Sequence, residues 1–139
     1  MLYATLIKFG FARGEYRADP NDGLQLADAL IANAVRCVPP ENKPTPAEIK
    51  TCNRFLSAQI EAVPKLRAVV ALGRIAHEAT LAALSHRRAQ FPFGHGSVHE
   101  LGRLRLFDSY HCSRYNTNTG LLTPRMFEDV FAAVRDYLA

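Results

Sequence analysis

The chain has 139 residues, a formal net charge of +4 and three cysteines. This length suits one domain with a real core and is too short for two, so we expect a single domain over residues 1–139. The small positive charge fits an anionic partner, but it is also ordinary for a soluble protein. An odd number of cysteines argues against a disulfide framework and leaves metal binding or simple burial.

Targeting signals are not apparent. No apolar run approaches the ~20 residues of a membrane span, and Met1–Gly14 lacks the basic start, apolar stretch and cleavage site of a signal peptide. We therefore expect a cytoplasmic protein with no membrane partner.

The first half of the chain predicts two helices and a strand. Met1–Phe11 has helical spacing of its apolar residues, and Gly10 and Gly14 are expected to end the helix. Ala29–Val35 is a short apolar run that predicts a buried strand. Thr45, Pro46 and Glu48 form a capping box with proline at the first helical position, so a helix begins here.

The second half alternates strands and helices. Ala68–Leu72 predicts a strand, Ile75–Leu84 a helix and Leu104–Phe107 another strand. A polar loop follows, and Thr123 with Pro124 opens the last helix as N-cap and first helical residue. This order predicts an α/β fold with three α/β/α layers and a mostly parallel sheet.

Glycines and histidines between these elements raise other possibilities. The run from Gly94 to His99 begins like a dinucleotide fingerprint and like a nucleophile elbow, but His99 occupies a position where both patterns need glycine. A metal shared by His95 and His99 is disfavoured because no third ligand lies at a suitable spacing. His77 and His86 are predicted to be solvated or to lie at the edge of the core.

Four arginines flank the Gly-His-Gly loop: Arg87, Arg88, Arg103 and Arg105. They either contact the phosphates of a nucleic acid or form an ordinary solvated surface. Cys37 and Cys52 are also open to two interpretations. They are either two buried small residues or half of a four-cysteine cluster site.

The most informative segment is the polar run Tyr110–Gly120, directly behind the strand at Leu104–Phe107. Loops at the carboxyl ends of strands are where α/β enzymes keep their reactive groups. A histidine on such a loop can donate a hydrogen bond to an atom on which negative charge grows during a reaction.

Four motifs resemble the iron-sulfur uracil-DNA glycosylases. They are NAVRCVPPENKPTPAEIKTCNRFLSAQIE at Asn33–Glu61, VVALGRIAHEA at Val69–Ala79, FPFGHGSV at Phe91–Val98 and YHCSRYNTNTGLLT at Tyr110–Thr123. The details are most similar to type b, family 5, and less similar to family 4. The resemblance implies excision of uracil or other deaminated bases from double-stranded DNA during base excision repair.

The resemblance also implies roles for individual residues. Cys37 and Cys52 match two of the four cysteines that hold a 4Fe-4S cluster. Asn33 matches an asparagine that recognises the uracil edge through its amide. His111 matches the catalytic histidine that hydrogen-bonds the uracil carbonyl.

The remaining implied roles concern DNA. Ser113 would hold a phosphate, and His95 belongs to a second loop at the uracil pocket. The run of Arg114, Tyr115 and Asn116 would push into the duplex where the base has flipped out.

The chain also departs from the family pattern. Cys112 and Arg114 replace prolines, and Leu121 replaces an arginine. The family's first pair of cluster cysteines, its first and central strand and its water-positioning motif have no match. We therefore expect an N-terminally truncated chain whose sheet lacks that strand, whose cluster is absent or incomplete, and whose open sheet edges favour oligomers. The alternative function is a non-catalytic relative that binds DNA or a partner without base release.

Overall fold

The computed structural model describes residues 1–14, 25–27, 29–31 and 46–138. Two of the predicted site residues, Asn33 and Cys37, lie outside these residues. Contacts divide the chain into two compact units. The terminal unit combines Met1–Ile31 with His111–Ala139, and the central unit is Ala32–Tyr110. The single domain stays a prediction.

The terminal unit is mainly helical. Its elements in chain order are α1 (Leu2–Lys8), β1 (Ala12–Arg13), β2 (Gln25–Leu26), α4 (Arg114–Asn118) and α5 (Pro124–Leu138), and β1 pairs antiparallel with β2. The predicted first helix is confirmed over a shorter span, because Gly10 adopts a φ of +79° that ends it.

The spacing of the apolar residues of helix α5 predicts a stripe of Phe127, Val130, Phe131, Val134 and Leu138, of which the first four are buried. The side-chain oxygen of Thr123 accepts the Met126 backbone N–H at 3.2 Å, which confirms the predicted N-cap. Arg135 joins α5 to the end of α1, since its Nε donates to the Phe9 carbonyl at 2.9 Å.

The central unit contains a three-stranded sheet in the order β3-β5-β4. Strand β3 (Ala68–Leu72) is parallel to β5 (Leu104–Ser109), whereas β4 (Val98–Leu101) is antiparallel to β5. Strand β3 is confirmed with its predicted bounds, and β5 continues two residues beyond its predicted end. The α/β class is confirmed, whereas the three layers and the missing first strand stay predictions.

Strand β4 was not predicted, and it makes the described sheet mixed. The ladder pairs Leu101 with Leu104, so only two residues connect β4 to β5. One of them is Gly102, with a φ of +72°. A two-residue connection permits only an antiparallel hairpin, which is why this pair departs from the predicted mostly parallel arrangement.

Helices α2 (Pro46–Glu61) and α3 (Arg74–Ala83) pack together in the central unit. Helix α2 begins at Pro46, as the capping box predicted, and the Asn53 amide donates to the Ala79 carbonyl of α3 at 2.7 Å. Gly73 connects β3 to helix α3. The helix begins at Arg74, one residue before its predicted start at Ile75. In the described residues, no helix has the length and apolar character that a membrane crossing requires.

The strand predicted at Ala29–Val35 is not found in its described part. Residues 29–31 form no strand, and Leu30 and Ile31 are 64% and 42% exposed. Residues 32–35 lie outside the described residues. A short apolar run does not by itself distinguish a buried strand from other states, and this prediction was wrong for the first three residues.

Candidate active site

One candidate segment, in the terminal unit, is His111–Gly120, called here the His111 loop. It was predicted as a loop, but it contains the short helix α4. Ser113 is the N-cap of this helix, and its Oγ accepts the Asn116 backbone N–H at 3.2 Å. Gly120 has a φ of +79° and follows the helix. The motif Ser-x-x-Asn therefore encodes a capped turn inside the predicted loop.

Asn116 holds both ends of the His111 loop. Its side-chain Nδ2 donates to the His111 carbonyl at 2.8 Å, and its own carbonyl accepts the Leu122 N–H at 3.0 Å. Leu122 is 1% exposed and anchors the end of the segment. The predicted role of Asn116 was to push into DNA. The structure shows its amide bonded within the loop, and its contact with DNA stays a prediction.

Several other side chains of the His111 loop face solvent. His111 and Arg114 are exposed, and Tyr115 is 74% exposed. Leu121, just beyond the loop, is 46% exposed. Cys112 carries a free, half-buried thiol. The loop therefore presents an imidazole, a guanidinium and an aromatic ring on a backbone that Ser113 and Asn116 hold from within.

Another candidate segment, in the central unit, is Phe91–Ser97, called here the His95 loop. The Nδ1 atom of His95 accepts the Tyr110 backbone N–H at 3.0 Å, and the two rings lie 5.0 Å apart between centroids. Because Nδ1 accepts, the hydrogen of the neutral imidazole is on Nε2. Tyr110 is the residue before His111 in the chain.

A buried polar cluster, His77–Asp108–His99, lies in the same unit. Asp108 is fully buried on β5, its Oδ1 lies 2.7 Å from Nδ1 of His77, and its Oδ2 lies 2.8 Å from Nε2 of His99. The Nε2 atom of His77 contacts the Phe91 carbonyl at 2.7 Å. These three residues are close enough for metal ligands, as their candidate ligand atoms lie within 4.8 Å of one another.

The prediction for His77 was wrong, and the role of Asp108 was not predicted. His77 was predicted to be solvated or at the core edge, but it is 1% exposed. The core-edge prediction is confirmed for His86, which is half-buried with its ring against Phe91. The missed signal was Asp108 itself, because a carboxylate in an apolar strand needs buried polar partners.

Three of the four arginines near the His95 loop contact protein groups. Arg88 pairs with Glu78, Arg105 pairs with Glu100, and Arg103 donates to the Pro64 carbonyl. These contacts favour the surface interpretation for the three residues, whereas Arg87 is exposed and its phosphate contact stays a prediction.

Comparison with known families decides the relationship. The family model of the uracil DNA glycosylase superfamily matches residues 1–135. The chain belongs to this superfamily. The type-5 uracil-DNA glycosylase of Thermus thermophilus is 47% identical over 112 residues, which are 80% of this chain and 51% of that relative. A type-5 uracil-DNA glycosylase of Mycobacterium bovis is 43% identical over 133 residues, covering 94% of this chain and 50% of the relative.

The type-4 relatives are less similar. A type-4 uracil-DNA glycosylase of Archaeoglobus fulgidus is 42% identical, but over only 55 residues, 39% of this chain and 27% of the relative. This supports the predicted order of resemblance to families 5 and 4. The chain spans about half the length of the type-5 relatives from Thermus and Mycobacterium bovis.

The residues of this chain do not by themselves fit a 4Fe-4S cluster. Such a cluster takes four cysteine thiolates, and the sequence contains three cysteines. Cys112 belongs to the His111 loop rather than to the motif that contains Cys37 and Cys52. The side chain of Cys52, on α2, lies outside the described part of the structure.

Proposed function

We propose that this chain forms part of an enzyme that removes uracil, or another deaminated base, from DNA by hydrolysing its N-glycosidic bond. Membership of the superfamily and the names of the type-5 relatives support this activity. The single structural observation that carries it is the His111 loop, which exposes His111 while Asn116 bonds the carbonyl of the same residue.

The proposed chemistry follows from the charge that moves during bond rupture. As the bond between base and sugar breaks, negative charge grows on a uracil carbonyl oxygen. A donor aimed at that oxygen stabilises the transition state more than the ground state. His111 is the donor in this proposal. Holding its backbone limits the reorganisation needed to keep the imidazole at hydrogen-bond distance.

Base selection is assigned to two other residues. Asn33 is proposed to pair with the uracil edge, because an amide both donates and accepts as the imide demands. His95 is proposed to contribute to the same pocket, and acceptance of the Tyr110 N–H by its Nδ1 leaves Nε2 as the donating atom of the neutral ring.

DNA contact is assigned to the remaining residues of the His111 loop. The hydroxyl of Ser113 accepts from Asn116 through its oxygen and still has its own hydrogen to donate to a phosphate. Arg114 supplies charge, and the exposed Tyr115 ring can stack in the space that a flipped base leaves. The proposed partner is therefore duplex DNA.

A four-iron cluster is proposed only for the complete protein, with Cys37 and Cys52 as two of its ligands. When bound, such a cluster would cross-link the segments that carry its cysteines; no step of the chemistry above depends on it. The cytoplasmic location and self-association through sheet edges also stay predictions.

The test is single-turnover release of uracil from a duplex. It compares this chain with a longer protein in which the N-terminal segment of the Thermus thermophilus relative precedes it. In whichever form is active, His111→Ala should slow release by on the order of 10²-fold, as loss of an oxyanion donor does in other enzymes. An unchanged rate would show that His111 is not the donor.

The second candidate is a relative that binds DNA without releasing a base. Three departures from the family pattern favour it: Cys112 and Arg114 in the loop proposed for catalysis, and Leu121 just beyond it. Tight binding to uracil-containing duplex with no base release from either form would support this candidate and contradict the first.

A further inference from the structure

The buried His77–Asp108–His99 cluster connects three elements of the central unit. His77 is on α3, His99 is on β4 and Asp108 is on β5. His77 also contacts the carbonyl of Phe91, which is the first residue of the His95 loop. The side chain of His99 is 10% exposed, and those of the other two are almost completely buried.

The hydrogen-bond partners determine where the hydrogens of the cluster lie. The Phe91 carbonyl only accepts, so Nε2 of His77 carries a hydrogen. One further hydrogen lies between Nδ1 of His77 and Asp108, and another between His99 and Asp108. All of these hydrogen bonds form when His77 and the Asp108 carboxyl share one proton and His99 donates through Nε2. The cluster is then neutral, as its burial demands.

The same distances argue against an ion inside the cluster. Ligand atoms that bind one tetrahedral zinc at ~2.1 Å lie about 3.4 Å apart. The two histidine nitrogens instead lie 2.7 and 2.8 Å from the oxygens of Asp108. These are hydrogen-bond distances, and direct contact leaves no space between the groups for a cation.

The backbone around Asp108 holds the His95 loop against the end of β5. The Gly96 N–H donates to the Asp108 carbonyl, and the Asp108 N–H donates to the Ser97 carbonyl, both at 2.9 Å. The third bond runs from the Tyr110 N–H to His95. The side chain of Asp108 therefore fixes the residue on which two of these three bonds depend.

From this arrangement we propose that Asp108 is a positioning residue. Its hydrogen bonds to His77 and His99 hold the His95 loop in register with the end of β5 and keep His95 in its Nε2–H form. The claim rests on the proposed function only where it concerns activity, because that function assigns His95 to the uracil pocket.

The test uses the full chain and two substitutions of Asp108. Asp108→Asn keeps all the bonds, because its amide donates to Nδ1 of a neutral His77 and its oxygen accepts from His99. Asp108→Leu has similar size but removes them. The matched control is Thr80→Val, which removes a buried hydroxyl that donates to the Ala76 carbonyl within α3.

Hydrogen exchange is the primary measurement. In Asp108→Leu, the backbone amides of Gly96, of position 108 and of Tyr110 should exchange about tenfold faster. The exchange rates of the reference amides of Leu84 and His86 should not change. His95 should lose its Nδ1-acceptor ¹⁵N signature. Asp108→Asn and Thr80→Val should match the unmodified chain. Equal acceleration at the reference amides would assign the cluster to global stability alone and overturn the proposal.

A second variant covers the case in which Asp108→Leu does not fold. His77→Phe removes the bonds to Asp108 and Phe91 but keeps an aromatic ring against Phe93. It should produce the same local acceleration of exchange. If exchange accelerates as much in Asp108→Asn as in Asp108→Leu, the proposal is also overturned. That result would show that the charge of Asp108, rather than its hydrogen bonds, holds the loop.

Activity and metal content complete the test. Uracil release should fall about tenfold in Asp108→Leu and remain within about threefold in Asp108→Asn. If neither the chain nor its N-terminally extended form releases uracil, the proposed function fails, while the exchange measurement still decides the role of Asp108. One equivalent of zinc lost in Asp108→Leu would replace the hydrogen-bonded cluster with a metal site and overturn the proposal.

Discussion

Ser113 offers the sharpest prediction, because its one hydroxyl is assigned two separable tasks. The oxygen caps α4 by accepting the Asn116 N–H, and the hydrogen is proposed to bind a DNA phosphate. Three substitutions separate these tasks. Ser113→Ala removes both, Ser113→Asp keeps the cap acceptor but has no donor and adds negative charge, and Ser113→Thr keeps both.

The two losses have different magnitudes. Loss of an N-cap costs about 1 kcal/mol, which should open the five-residue helix α4 about fivefold more often. A hydrogen bond to a charged phosphate contributes ~1.5–3 kcal/mol, so its loss should weaken DNA binding ~10- to 150-fold. The Asp variant should lose more, because its carboxylate repels the phosphate.

Two measurements follow these tasks independently. Exchange of the Asn116 and Thr117 amides reports the cap, and fluorescence anisotropy with a duplex carrying a non-cleavable uracil nucleotide reports DNA binding. Ser113→Asp should keep slow exchange and lose affinity, whereas Ser113→Thr should retain both. Wild-type affinity in Ser113→Asp would refute the phosphate contact, and fast exchange in that variant would refute the capping argument.

Three further predictions concern the loop, α5 and iron. Asn116→Ala should speed exchange within the His111 loop and slow uracil release about fivefold, since it removes a bond of ~1 kcal/mol to the His111 carbonyl; an unchanged rate would show that this bond does not position His111. Thr123→Ala should lower Tm by about 4 °C through loss of the α5 cap, with Thr123→Ser as the control that keeps it; calorimetry showing equal Tm values would contradict this. Anaerobically purified chain should contain fewer than four irons, because it has three cysteines, and iron and sulfide analysis showing four of each would disprove it.

Local patterns in the sequence determined much of the central and C-terminal structure. The run at Ala68–Leu72 forms β3 with its predicted bounds, and Pro46 and Pro124 begin the helices that their capping patterns predicted. These signals depend on backbone restriction and on side chains a few residues away, so a single sequence contains them completely. The motif order similarly identified the superfamily.

The same local rules did not predict β4 or the partners of Asp108. Strand β4 exists because a two-residue turn folds it back onto β5, and its exposed and half-buried residues before Leu101 give no strong apolar run. Asp108 meets histidines that are 31 and 9 residues away in the chain. Only tertiary structure decides which distant groups satisfy a buried charge.

The His111 loop shows where the two kinds of information divide. The sequence determined that a polar segment with His111 follows β5, and it included the Ser-x-x-Asn spacing that caps α4. Tertiary structure decided that Asn116 turns inward to the His111 carbonyl and that Leu122 is buried while Leu121 remains exposed. The physical reason is that a side-chain amide can bond protein, solvent or DNA equally well, and only the folded backbone determines which partner lies within reach.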